Sequence, residues 1–198
     1  MHLLMLTLAV AAPVMELVPR GGKAKTMATS VPTRSATIST RDFVAAILDC
    51  DHYPLTASVM GVKALKTCRT LEKRPDGYTV IYQLTGGNAL VSSRHYVIAM
   101  KVVEENDGKA RIDWDLVKHG GSGAQMTGPY AAALNANPDA VYTPYNTGGW
   151  VYDRPGGTIS YRVQSDPGGT LPGWLVNQDA VMAFPLELLK TRWGVKPE

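Results

Sequence analysis

The apolar positions of the chain change period, and the changes outline its elements. Over ISTRDFVAAILDCDHYP, Phe43, Ala46, Ile47 and Cys50 fall on one face at helical spacing. Ser39 stands three residues before Asp42, the spacing of a capping box. A short amphipathic helix of about three turns is predicted, ended by Pro54. Before it, KAKTMATSV alternates weakly and predicts a first strand. After it the period becomes that of a strand. VKALKTCRTLEKR predicts one strand, PDG a turn, and the β-branched and aromatic YTVIYQL another. NALVSSRHYVIAMKVVEE is long enough for one extended or bulged strand, and Asp107-Gly108 signals a hairpin. In ARIDWDLVK, Ala110, Ile112, Trp114 and Leu116 share one face and Arg111, Asp113 and Asp115 the other. That is the pattern of a half-buried antiparallel strand.

Residues 119–140, HGGSGAQMTGPYAAALNANPDA, break the alternation and predict a mobile connection with a short helix at Tyr130–Leu134. Two strands follow, VYTPYNTGGWVYD and GTISYRVQS, joined by the turn RPGG. In the second, Ile159, Tyr161 and Val163 alternate with Ser160, Arg162 and Gln164. The glycine pairs at 86–87, 120–121, 148–149, 156–157 and 168–169 are expected at loops or hairpin ends. The chain closes with LPGWLVNQDAVMAFPLELLKTRW. There Leu171, Leu175, Met182, Leu186, Leu189 and Trp193 form a stripe that predicts a helix of roughly 34 Å. Pro185 predicts a kink near Val181–Ala183. The order is strand, helix, about six antiparallel strands, long helix. The simplest arrangement that buries the stripe is an α+β fold with the helix laid over a curved antiparallel sheet.

Composition adds little but excludes something. At 198 residues, 45% hydrophobic and 19% charged, the chain suits one globular domain. The formal charge of +3 is small and scattered, and Arg69, Lys73 and Arg74 are interrupted by Glu72 and followed by Asp76. They suit a solvated strand end rather than a nucleic-acid footprint. Residues 3–14 are an apolar run followed by small residues, as in a signal peptide, although no basic residue precedes it. The expected division is a leader over 1–22 and one domain over 23–198, with a buried or tail-like N-terminal segment as the alternative. The alternative implies a cytoplasmic protein, and the leader a periplasmic or secreted one. Cys50 and Cys68 can then pair, or can be two separate buried thiols.

Three stretches, in this order, resemble the START and polyketide-cyclase-like superfamily over about residues 24–194. FVAAILDCDHYP resembles its first-helix signature, and SSRHYVIAM the strand bearing an Arg-aromatic pair. SDPGGTLPGWLVNQ is similar to the run that opens the C-terminal helix of that family. The resemblance implies a helix-grip fold with a deep apolar cavity between sheet and C-terminal helix, holding a lipid, sterol or other hydrophobic molecule. START domains carry a cavity arginine on the following strand. Near that position this chain has Lys101, Val103 and Glu104, so the resemblance names no lipid class.

No set of residues for chemistry stands out. GGSGA at 120–124 is not a nucleophile elbow, and the histidines at 2, 52, 95 and 119 lack metal-ligand spacing. No catalytic residue, metal or cofactor is therefore expected. The expected partner is a hydrophobic small molecule or lipid, with transient membrane contact, no nucleic acid and a monomeric chain. The candidate lining residues are Tyr82, Arg94, Tyr96, Ile98, Trp114, Leu116, Tyr145, Trp150, Trp174, Leu175 and Met182. Arg94, mid-strand, needs a partner if buried: a ligand carboxylate or phosphate, or an internal carboxylate such as Asp113. The alternative leaves it on the outer face in water. Beside a non-catalytic carrier stands a second function, an enzyme of the polyketide cyclase, aromatase or dehydratase kind using Arg94 or a Tyr hydroxyl as acid. The stretch Pro167-Gly168-Gly169 is expected to root the closing helix, with Thr170 as its cap.

Overall fold

A computed structural model describes residues 18–19, 25–32, 38–55, 58–59, 62–63, 65–87, 92–117, 126–166, 168 and 178–194. Its elements are β1 (Val18–Pro19), β2 (Lys25–Pro32), α1 (Thr40–Leu48), β3 (Ser58–Val59), β4 (Val62–Lys63), β5 (Thr67–Lys73), β6 (Tyr78–Thr85) and β7 (Arg94–Glu105). They continue with β8 (Lys109–Leu116), α2 (Gly128–Asn135), β9 (Val141–Tyr142), β10 (Tyr145–Asp153), β11 (Thr158–Asp166) and α3 (Gln178–Trp193).

The first helix starts where its sequence says. Ser39 keeps extended dihedrals and its hydroxyl oxygen accepts from the Asp42 amide at 3.0 Å, satisfying one donor that the first turn leaves without a helical partner. It ends earlier than Pro54 suggests. After Leu48 the chain passes through Asp49 into a 3-10 turn, Cys50–His52, before the proline is reached.

The turns follow their residues. Gly77, at φ 86°, closes the β5–β6 turn with its amide on Arg74 O at 3.0 Å. At the β7–β8 hairpin the Asn106 side chain accepts from the amides of Gly108 and Lys109. The stretch VKALKTCRTLEKR is not one strand: β4 pairs with β3 in a small separate hairpin, and β5 begins only at Thr67. β7 carries a bulge between Val102 and Glu104, which leaves Val103 exposed. The basic strand end is paired, Arg74 with Asp76 at 2.7 Å, and Arg69 lies over the Tyr82 ring.

The main sheet runs β1-β2-β11-β10-β8-β7-β6-β5, antiparallel throughout, with β9 added parallel to β7 at Arg94–His95. The six long strands expected after α1 are all present. The sheet also takes in Val18–Pro19, which pairs with Lys25–Thr26, inside the stretch read as leader. Two cores form, one on each face. On the inner face α1 packs across β7 and β8, with Phe43 and Ile47 fully buried among Ile81, Ile98, Ile112, Trp150 and Tyr152. Phe43 stacks on Trp193 with ring centroids 5.6 Å apart, so the end of α3 closes over α1 and the sheet together. Arg192 fixes this contact by donating to the Asp49 carboxylate and to the His52 carbonyl.

Leu189 and Trp193 of the predicted stripe lie on the core, and the side chains of Met182 and Leu186 lie outside the described residues. Pro185, Leu188 and Leu189 are buried and Trp193 packs on the same core. Their steps of three and four define an arc that Leu188 shares and the predicted stripe omitted. The helix is continuous across Pro185, and its Gln178–Trp193 span is about 24 Å. Leu171 and Leu175, the start of the predicted helix, lie outside the described residues.

On the outer face, Val80, Tyr82, Leu84 and Val97 pack under Met126, Ala133 and Leu134. The connection after β8, expected to be mobile, thus contributes α2, a full helix with its own core. Asn137 donates to Tyr82 Oη at 3.1 Å, and Tyr130 Oη donates to Glu72 at 2.7 Å. No described helix is long and apolar enough to cross a membrane.

Candidate functional site

Strand register decides which candidate residues can act together. Ile81 stands opposite Ile98, Ile98 opposite Leu116, Met100 opposite Trp114, and Trp150 opposite both Ile112 and Tyr161. Because side chains alternate, Arg94, Tyr96, Ile98, Trp114, Leu116 and Trp150 all point to the inner face, under α1 and α3. Six of the predicted lining residues are thus brought to one surface.

Two are not. Tyr82 is on the outer face, inside the α2 core. The sequence hid this because β6 is covered on both sides, so Val80, Ile81 and Tyr82 are all buried and the two-residue period is erased. Tyr145 also points away from Trp150; it is 39% exposed, with its hydroxyl toward Gln164. Met182 lies on α3 with its side chain outside the described residues, and Trp174 and Leu175 lie outside them altogether.

The inner face is aromatic and largely buried. Trp114 stacks on Tyr161 at 5.5 Å between centroids, and Trp150 tilts against the same ring at 4.5 Å. Trp114 can lie flat because Gly148 is opposite it. A Cβ at Gly148 would run into the Trp114 ring and the Arg162 carbonyl. The pair Gly148-Gly149 is therefore a mid-strand feature of β10 and not a hairpin end, as expected from sequence. The cause is close packing of a large ring over bare backbone. The indole N–H donates to Asn146 Oδ1 at 2.8 Å, so the ring's one polar edge is satisfied.

Sequence reasoning missed Tyr161 and Tyr53 as members of this surface. Both are buried, and burial pushes both phenols well above the ordinary tyrosine range. They remain protonated hydrogen-bonding groups at any physiological pH, and Tyr53 Oη donates to the Ile47 carbonyl. The signal for Tyr161 was available in the alternation Ile159-Tyr161-Val163. Tyr53 had none, since it follows a helix end.

Arg94 sits at the rim of this aromatic surface, 7% exposed. Burial lowers the pKa of its guanidinium from the usual arginine value, opposed by the field of Tyr96. It donates to the carbonyls of Ser92 and Gly168, the latter at 3.3 Å. Asp113 is not its partner: that carboxylate is on the opposite face, held by Arg111 at 2.6 Å. His95, next in sequence, points the other way, between Tyr82 and Tyr142.

Cys50 and Cys68 form a disulfide, Cα atoms 5.5 Å apart, which ties the turn after α1 to β5. Gly168, at φ 66°, is locked by its own surroundings. Its amide donates to Asp166 Oδ1 at 2.9 Å, and a Cβ would press within 2.8 Å of Pro144 Cδ. Among the described residues no group of three or more His, Cys, Asp or Glu side chains is placed to hold a metal ion.

This architecture is that of START domains. The chain superposes on a STAR-related lipid transfer protein from Xanthomonas axonopodis with a TM-score of 0.54 and 18% identity, covering 91% of this chain and 93% of that one. It superposes on human STARD10 with a TM-score of 0.58 and 13% identity, covering 91% and 72%. For human StAR-related lipid transfer protein 5 the values are 0.53, 15%, 89% and 85%. No family model and no curated protein matches the chain by sequence. At these identities the likeness establishes a START-type helix-grip fold, α+β, with an antiparallel sheet and helices against its inner face.

Proposed function

We propose that this protein binds a hydrophobic small molecule or lipid in a deep cavity between the inner face of the sheet and the C-terminal helix, and carries it between membranes. The observation that carries this reading is the shared inner surface of Trp114, Trp150 and Tyr161, with a nearly buried cation, Arg94, at its rim. Apolar surface removed from water contributes roughly 25 cal/mol per Å², so such a face favours an apolar ligand, and a few polar groups orient it. The START-type fold supports the reading, since the proteins that share it are named for lipid transfer.

Entry and exit require the C-terminal segment to part from the sheet, a microsecond-or-slower motion. The Arg94–Gly168 bond pins the root of that segment. The C-terminal helix makes brief membrane contact during exchange. The chain works as a monomer without a cofactor, exported to the periplasm or secreted. The disulfide supports an oxidising compartment.

The test is direct. The chain is expressed with its N-terminus intact and purified without detergent, and solvent extracts are analysed by mass spectrometry. A stoichiometric apolar molecule and saturable uptake of a fluorescent lipid are expected. Finding neither would refute the carrier. N-terminal sequencing of protein from the periplasm or medium checks export, with cleavage expected near residue 22.

A further inference from the structure

The outer face holds a polar recess of its own, away from the hydrophobic surface. It lies where β6 ends and β7 begins, opposite the C-terminal end of α2, and encloses about 450 Å³. Lys66, Gly87 and Ser93 form one wall, and Ala136, Asn137 and Asp139 line the other.

The two walls differ in sign. Lys66 Nζ donates to Ser93 Oγ at 2.9 Å, and Ser93 Oγ donates to the Gly86 carbonyl at 2.9 Å. One ammonium N–H is thereby aimed and two remain for another acceptor. No ion pair among the described residues involves Lys66. Gly87 makes the close approach. A Cβ there would overlap Ser93 Oγ and stand 3.1 Å from Lys66 Nζ, so bare backbone leaves the ammonium uncovered.

The facing wall offers acceptors. The end of α2 carries the negative pole of its helix. Asn137 uses its amide N–H on Tyr82 Oη, which leaves Oδ1 as an acceptor. Asp139 is an exposed carboxylate and, like Lys66, has no ion pair among the described residues. A simple anion would meet Asp139 and the helix pole, and a simple cation would meet Lys66. Only a molecule carrying both charges matches both walls.

We propose that this recess binds a small zwitterion, with a phosphate or carboxylate against Lys66 and Ser93 and an ammonium against Asp139 and Asn137. Two sources present this chemistry: a free molecule such as phosphoethanolamine, or the headgroup of a zwitterionic phospholipid at a membrane surface.

The full-length chain, labelled with nitrogen-15, is titrated with phosphoethanolamine, inorganic phosphate and ethanolamine. Saturable shifts are expected at Ser93 and at Asn137–Ala140 with phosphoethanolamine, with either fragment binding about tenfold more weakly. Lys66→Gln and Asp139→Asn should each weaken binding about tenfold while leaving fluorescent-lipid uptake unchanged. Asp139 is exposed, so its variant keeps the test open if Lys66→Gln does not fold.

Sedimentation with phosphatidylethanolamine vesicles separates the sources. Cosedimentation lost in both variants assigns the headgroup. Soluble binding without cosedimentation assigns the free molecule. The proposal is overturned if neither arm gives saturable binding, if inorganic phosphate binds as tightly as phosphoethanolamine, or if both variants bind like the wild type. Uptake of the fluorescent lipid reports the inner face alone, so its failure bears only on the carrier function.

Discussion

The guanidinium of Arg94 donates to the carbonyl of Gly168 at 3.3 Å, joining the start of β7 to a residue 74 positions later. It is a side-chain tether on the point where the chain leaves the sheet for its last helix. Arg94→Met keeps the apolar stem and removes the charged donors that the carbonyls of Ser92, an exposed residue, and Gly168, a half-buried one, accept from. A loss of about 1–3 kcal/mol in urea unfolding is expected. If the tether gates exchange, release of a fluorescent lipid by the variant is faster than its stability loss explains. Unchanged release at matched stability would confine Arg94 to a structural role.

The Cys50–Cys68 disulfide closes a loop of 18 residues. Chain-entropy arithmetic for that length gives about 3 kcal/mol of stabilisation, mostly through the unfolded chain. Thiol reductant, or Ser at both positions, should lower the denaturant midpoint accordingly. The native far-ultraviolet circular dichroism should remain, because α1 also keeps its cap and its Phe43 packing.

Gly148→Ala inserts a methyl group where the Trp114 ring and the Arg162 carbonyl already are. Either the ring tilts off Tyr161 or β10 moves. Overpacking of this kind costs about 1–3 kcal/mol. Tryptophan emission should shift to longer wavelength, and Gly149→Ala, which meets Asp113 rather than a ring, should leave the emission in place.

His95 gives a pH dependence whose sign is fixed. The ring is 4% exposed, its Nδ1 lacks a partner, and burial holds its pKa below the ordinary 6.5. The groups facing it are the phenols of Tyr82 and Tyr142 and the Ala140 carbonyl. Above 6.5 both folded and unfolded chains carry a neutral ring, and stability is full. As pH falls below 6.5 the unfolded chain binds a proton that the folded chain refuses, so stability declines toward the folded pKa. His95→Phe should flatten that part of the profile. Urea unfolding of both proteins between pH 7.5 and 5 measures the difference, and parallel profiles would exclude His95 as the cause.

Much of this fold is legible where one face is wet. The alternation of Ala110, Ile112, Trp114 and Leu116 appears unchanged in the structure because the other face of β8 carries Arg111 and Asp115 into water. Ser39 announces its helix because a cap is a local bond. The face of Tyr82 was not legible, since α2 covers β6 from outside and removes the polar half of the pattern. The role of Gly148 was not legible either, because it depends on β8–β10 register, a relation between strands that no single stretch of sequence contains. The recess at Lys66 was hidden for the same reason: its walls meet only when α2 folds back beside β7.

The excursion that holds α2 leaves and rejoins the sheet along one edge of β7. Val117 N–H bonds to Val97 O and Val141 N–H to Ser93 O, on one edge of β7, with Thr143 N–H on His95 O between them. The segment that carries α2 is therefore tied to β7 at both ends, outside the β8–β10 pairing. Shortening that segment would uncover Val80, Tyr82, Leu84 and Val97, so the outer core depends on it while the inner face does not.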